Sequence, residues 1–181
     1  MKVSLLLAVF LFLCLVACAQ TRHLDPVRKE SSVTYGLVHP LHKIEATSKD
    51  VQFILEADPS KKEIKGVSAQ VDVTTFDSGN SNRDSHAMEV IDAISYPDAR
   101  FESTSITQTG DSISVAGKIT FHGVTREVVM KGTTQWSANK LVVHGGFELS
   151  LAAFNIDRPS LLMIPVEDVL KFVLVAAFEW N

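Results

Sequence analysis

Few residues in this chain could do chemistry, and their spacing is loose. His39 and His42 stand three apart in His39-Pro40-Leu41-His42, and His86 closes the run Asn82-Arg83-Asp84-Ser85-His86. Imidazoles ligate zinc, copper or iron. In a continuous strand, residues three apart face opposite sides, so His39 and His42 reach one metal only if Pro40 bends the chain. A polar strand end accounts for the pair more simply, and no metal site is assigned. Arg83, Asp84 and His86 form the most distinctive polar group. They could touch the polar head of a ligand at a pocket mouth. They could equally serve a helix start, with Ser81 or Asn82 as the cap, Asp84 in the first turn and Arg83 paired to a nearby carboxylate.

Catalytic signatures are absent. There is no Gly-x-Ser-x-Gly elbow, no glycine-rich phosphate loop and no Cys-x-x-Cys. Carboxylates are scattered, with no spacing that joins two of them. The expectation is a protein that is not an enzyme and needs no cofactor. The formal net charge of −4 argues against nucleic acid as a partner.

The aromatic residues carry more information. The chain has 10 Phe but only 2 Trp and 2 Tyr. Phe53, Phe76, Phe101, Phe121, Phe147, Phe154, Phe172 and Phe178 fall mostly on strand patterns. For any single Phe, a packed core is the simpler account. For the set, a lined tunnel is the alternative.

The elements that must position these residues are strands. Residues 1–17 read as a secretory signal peptide: Lys2, an apolar run from Val3 to Val16, then small residues. Leu15-Val16-Ala17-Cys18 resembles a bacterial lipobox, which would free Cys18 for lipidation and membrane attachment. Ala17-Cys18-Ala19 also fits an ordinary signal-peptidase site with cleavage before Gln20. The lipoprotein reading is preferred because cysteine is an uncommon residue at that place. Cys14 and Cys18 are the only cysteines, so the domain is expected to stand without a disulfide. Residues 18–32 read as a polar tether, and residues 33–181 as one domain.

Within that domain, alternation predicts about eight strands joined by short turns. The first runs from Val33 to Val38 and the last from Val169 to Trp180. The last is apolar at Val173 and Val175 as well, which predicts cover on both faces. One short helix, at about residues 82–94, interrupts the strands. A sandwich and a barrel fit this all-β pattern equally.

Several segments narrow the choice. The strand leading to Asp77-Ser78-Gly79-Asn80-Ser81-Asn82-Arg83-Asp84-Ser85-His86, the short helix, Tyr96-Pro97 and Phe101-Glu102-Ser103-Thr104 resemble the signature of the YceI-like family. Gly117 to Arg126 and Phe154-Asn155-Ile156-Asp157-Arg158 are similar to two further family segments. The family's Ser-x-Val-x-Phe opening is not clearly present, so the first strand matches least well.

The resemblance implies an eight-stranded antiparallel lipocalin-like β-barrel that holds an isoprenoid or quinone-type lipid in the bacterial cell envelope, either periplasmic or on the surface. It implies a tunnel lined by Phe53, Val71, Phe101, Phe121, Phe147, Leu149 and Phe172. Arg83 and His86 would then sit near the mouth. Burying on the order of 400 Å² of isoprenoid at about 25 cal/mol/Å² would yield roughly 10 kcal/mol before ordering costs. The competing readings are a filled barrel used as an interaction domain and, less favoured, a histidine-based metal or redox site.

Overall fold

The computed structural model describes residues 21–180. The expected signal peptide, residues 1–17, and Cys18 lie outside the described residues. In chain order the strands are β1 (Arg22–Pro26), β2 (Ser32–His39), β3 (His42–Ser48), β4 (Val51–Asp58), β5 (Glu63–Asp72), β6 (Asp98–Thr109), β7 (Ser112–Phe121), β8 (Val124–Trp136), β9 (Lys140–Ser150), the two-residue β10 (Ser160–Leu161) and β11 (Ile164–Pro165), and β12 (Val169–Glu179). The helix α1 spans Ser81–Val90.

The expected barrel is present, and its closure is explicit in the pairing. The ring runs β1-β4-β5-β6-β7-β8-β9-β12, eight strands, and β12 pairs back onto β1 through Asp25↔Glu179 and Pro26↔Phe178. The pairs are antiparallel, as short turns between sequential strands require. Closure through β1 removes the free edges at that end of the ring, while toward the other end β3, laddered only with β2, and Val51–Ile54 of β4 keep an unpaired side. Beyond β1, β2 continues along the same side of β12 from Ser32↔Val175 to Leu37↔Leu170. A 3₁₀ turn at Arg28–Glu30 separates the two. β1 and β2 therefore act as one long broken strand, and β3 and β4 bring the chain back.

Three expectations are corrected here. Residues 18–32 do not read as a tether over their length, because Arg22–Pro26 is a strand of the ring. Only Leu24 of β1 is deeply buried, so its sequence carries almost no apolar signal. The helix ends at Val90 instead of reaching residue 94, since Asp92 takes a left-handed conformation with φ 44°. The last strand is not covered on both faces: Val173 is 60% exposed.

The two ends of the barrel differ. One end holds the β4–β5, β6–β7 and β8–β9 turns and the start of β1. It is sealed by Leu141 and Phe178, which pair across β9 and β12 and are almost fully buried. Trp136 and Trp180 cover it, their rings 5.9 Å apart. The other end holds the β2–β3 tip, the long insertion carrying α1, the His122-Gly123 turn and the segment from Leu151 to Asp168. His122 and Gly123 both have positive φ (48° and 70°), the two-residue turn that matches strand twist.

Candidate functional site

A cavity of about 240 Å³ lies within the barrel, walled mainly by hydrocarbon and aromatic side chains. Strand alternation builds the wall. In β9, Val143, Phe147 and Leu149 line the cavity, while His144 and Glu148 are exposed. Gly145 shares the inward face but has no side chain. A Cβ there would sit 3.3 Å from the Met130 sulfur and 3.5 Å from Leu174 Cγ, so the glycine keeps the lumen open at that level. In β12, Leu170, Phe172, Leu174, Ala176 and Phe178 take the inward positions.

Each residue expected to line a tunnel borders this cavity: Phe53 from β4, Val71 from β5, Phe101 from β6, Phe121 from β7, Phe147 and Leu149 from β9, and Phe172 from β12. Arg83 and His86 border it from α1. Sequence reasoning missed several others. Tyr35 sits in a visible alternation with Val33 and Leu37, and all three face the cavity. Phe76, named in the phenylalanine set but not among the expected lining residues, follows a 3₁₀ turn at Val73–Thr75, and its ring lies 5.3 Å from that of Tyr35. Met88 and Ile91 add the apolar side of the helix.

The polar side chains are gathered where α1 meets the lumen. The helix is firmly started. Asn80, not Ser81 or Asn82, is its cap, and the Asn80 carboxamide oxygen accepts the Arg83 N–H at 3.1 Å. The Asp84 carboxylate accepts the Ser78 N–H at 3.2 Å, and Asp77 Oδ1 accepts that of Gly79 at 2.6 Å. Asp77 also bridges the backbone of Thr47 in β3, which fixes the insertion to the barrel. Asp84 is thus spent on the loop that precedes the helix. Among the described residues Arg83 forms no ion pair, contrary to the purely local account of that residue. His86 Nδ1 lies 3.7 Å from the Glu89 carboxylate. Burial pushes the Tyr35 phenol above its ordinary range, with Asp84 adding to the shift and Arg83 opposing it. Tyr35 is therefore a neutral hydroxyl at the edge of an otherwise apolar chamber.

His39 lies at the rim. It is buried, its Nδ1 accepts the Leu41 N–H at 3.2 Å, and its Nε2 donates to the Ile164 carbonyl at 3.1 Å. Those contacts fix the Nε2–H tautomer and give the ring a tying role. Among the described residues no group of three or more His, Cys, Asp or Glu could hold a metal ion.

What this arrangement can do is enclose a slim apolar chain and meet one polar group at its end. The family model described as YceI-like domain matches residues 23–178. A protein of Pseudomonas putida named UPF0312 protein is 31% identical over 140 residues, covering 72% of this chain and 70% of its own length. Among solved structures, Burkholderia cenocepacia BcnA superposes with a TM-score of 0.77 at 22% identity, over 84% of this chain and 99% of that one. A polyisoprenoid binding domain from Saccharophagus degradans superposes with a TM-score of 0.65 at 9% identity, over 90% of this chain and all of that domain.

Proposed function

Because this chain belongs to the YceI-like domain family, we propose that it binds a long isoprenoid or a similar lipid in its barrel, as a carrier or store and not as an enzyme. One observation carries the reading: a continuous apolar chamber inside a closed barrel, with its polar side chains gathered at the helix-bearing end. An isoprenoid tail offers only hydrocarbon, so it gains from such a wall by losing contact with water. Its terminal group, a quinone ring or another polar head, would lie by Tyr35 and Arg83. The Saccharophagus degradans domain, described as polyisoprenoid binding, supports the same ligand class.

The reading extends to the cell envelope, with the exported protein facing the periplasm or the surface and held to a membrane through lipidated Cys18. A mass for the N-terminal peptide tests the lipidation.

The ligand is tested by native purification, organic extraction and mass spectrometry. Retention of a polyprenyl or quinone species in roughly stoichiometric amount is the expected result. A barrel that is repeatedly empty, and that takes up no isoprenoid when offered one, overturns the proposal.

A further inference from the structure

We infer that the barrel docks on a zwitterionic lipid bilayer through the tip of the β10–β11 hairpin, an inference that rests on the isoprenoid-binding reading above. The hairpin pairs Leu161 with Ile164, which leaves Leu162 and Met163 as a two-residue loop. Both have positive φ, 52° and 65°. That turn favours Asn-Gly, because bulky L residues are strained in the left-handed region. Here it carries two large apolar residues, Leu162 76% and Met163 95% exposed. Neither strain nor exposure of this kind serves the barrel's own folding, and strained positions of this sort accompany binding roles.

The tip is held in place. Its Ile164 carbonyl accepts a hydrogen bond from His39, whose other ring nitrogen accepts the N–H of Leu41. One buried imidazole therefore ties two tips together, and Leu41 on the second is also 61% exposed. The hairpin is closed behind by the Val166 N–H donating to the Pro159 carbonyl at 3.0 Å. Pro159 itself lines the cavity. The exposed apolar tip is thus continuous with the chamber wall.

A bilayer is the occupant this geometry fits. The tip is narrow and convex, suited to entering a fluid interface. The exposed charges nearby are mixed, Lys43 and Arg158 against Asp157 and Glu167, so anionic lipid has no advantage. Among the described residues no helix is long and apolar enough to cross a membrane, so the contact is peripheral. An isoprenoid is stored in bilayers, and a mouth resting on one lets the chain pass without entering water.

The test uses the lipid-loaded protein with Cys18→Ala in every sample, so that no acyl chain at that position anchors it, and phosphatidylcholine vesicles in a flotation assay. The variant adds Leu162→Asn with Met163→Gly, which supplies the residues the turn prefers and so keeps the fold. The expected result is that the protein with its native hairpin floats with the vesicles, while the variant partitions at least about tenfold less, melts at the same temperature or higher, and retains its bound lipid. Equal flotation of the two, or no flotation of either, overturns the docking inference while leaving the ligand reading intact. Empty barrels in both, judged by extraction, mark failure of the ligand reading instead. A protein partner in place of a bilayer would show as no flotation.

Discussion

Phe147 and Phe172 stand directly opposite each other in the pairing of β9 with β12, and their rings stack with planes 3° apart and centroids 4.8 Å apart. Tyr35, from β2 on the far side of β12, lies 6.3 Å from Phe172. Three neighbouring strands so contribute one aromatic wall. A stacked pair adds about 0.5–1.5 kcal/mol beyond its burial. Phe147→Ala is expected to cost about 2–3 kcal/mol in urea unfolding, below the usual range for a packed Phe because one face borders the cavity. In a double-mutant cycle with Phe172→Ala, the summed single losses should exceed the double loss by about 1 kcal/mol. Strict additivity would mean the stacking contributes nothing.

Filling the chamber separates ligand binding from folding. Ala69 lines the cavity and pairs with Phe101 across β5 and β6. Ala69→Phe places a ring in open space, so the melting temperature should change by no more than about 5 °C. Bound lipid, measured by extraction, should fall at least about tenfold. Undiminished lipid in a folded variant would show that the chamber is not where the lipid lies.

Arg83 is the side chain at the mouth that the local structure does not use. Arg83→Ala is expected to leave the melting temperature nearly unchanged and to weaken binding of an isoprenoid with a polar head by about tenfold, the value of one charge-assisted hydrogen bond. A purely hydrocarbon isoprenoid should bind both proteins alike. Equal losses for both ligands would assign Arg83 a structural role. His86→Ala, with the imidazole beside Glu89, should have the smaller effect.

Gly117 tolerates nothing larger. A Cβ there would lie 2.4 Å from the Glu102 carbonyl oxygen and 2.5 Å from the Phe101 ring. Gly117→Ala must push Phe101 into the lumen or part β6 from β7, at a cost of about 2 kcal/mol. Thermal unfolding gives the stability loss, and lipid retention reports whether the ring has moved inward.

Acid should loosen the junction between β9 and the segment that follows it at the mouth end. The Asp168 carboxylate accepts hydrogen bonds from the Ser150 hydroxyl and, at 2.9 Å, from the Ala152 N–H, and the Ser150 bond is the larger reason its carboxyl sits below the usual range. A carboxyl with a depressed folded pKa adds stability above its unfolded pKa, and that stability is lost as pH falls through the folded value. The unmutated protein should therefore lose melting temperature below about pH 4. Asp168→Asn should be less stable at neutral pH and show a flatter decline. Identical acid profiles would show that Asp168 does not contribute.

The strands were legible in the sequence because inward and outward positions alternate in β5, β7 and β9, a pattern that a sandwich and a barrel share. The resemblance to the YceI-like family decided for the barrel and implied the wall residues, since for any single Phe a packed core accounts for the pattern as well. What escaped notice escaped for local reasons. β1 has one deeply buried apolar residue, and its place depends on β4 and β12, which lie far away in sequence. β3 does alternate, with Ile44 lining the cavity and Ala46 buried, but Pro40 made the turn before it look like a break. The β2–β3 hairpin instead places Pro40 and Leu41 in the two-residue loop between His39 and His42. The tie from His39 to Ile164 spans 125 residues, which no spacing rule reaches.

Arg22 enters the ring beside Ala57, next to the β4–β5 turn, and so at the sealed end. The mouth is at the other. A strand of 11 residues at about 3.3 Å per residue, tilted by about 40°, stands roughly 28 Å tall. On the proposed carrier reading, a tether ahead of Arg22 would join the barrel at its base, and lipid would enter and leave at the opposite end. A barrel immobilised on a sensor through its N-terminus should then present an unobstructed mouth to vesicles offered in solution.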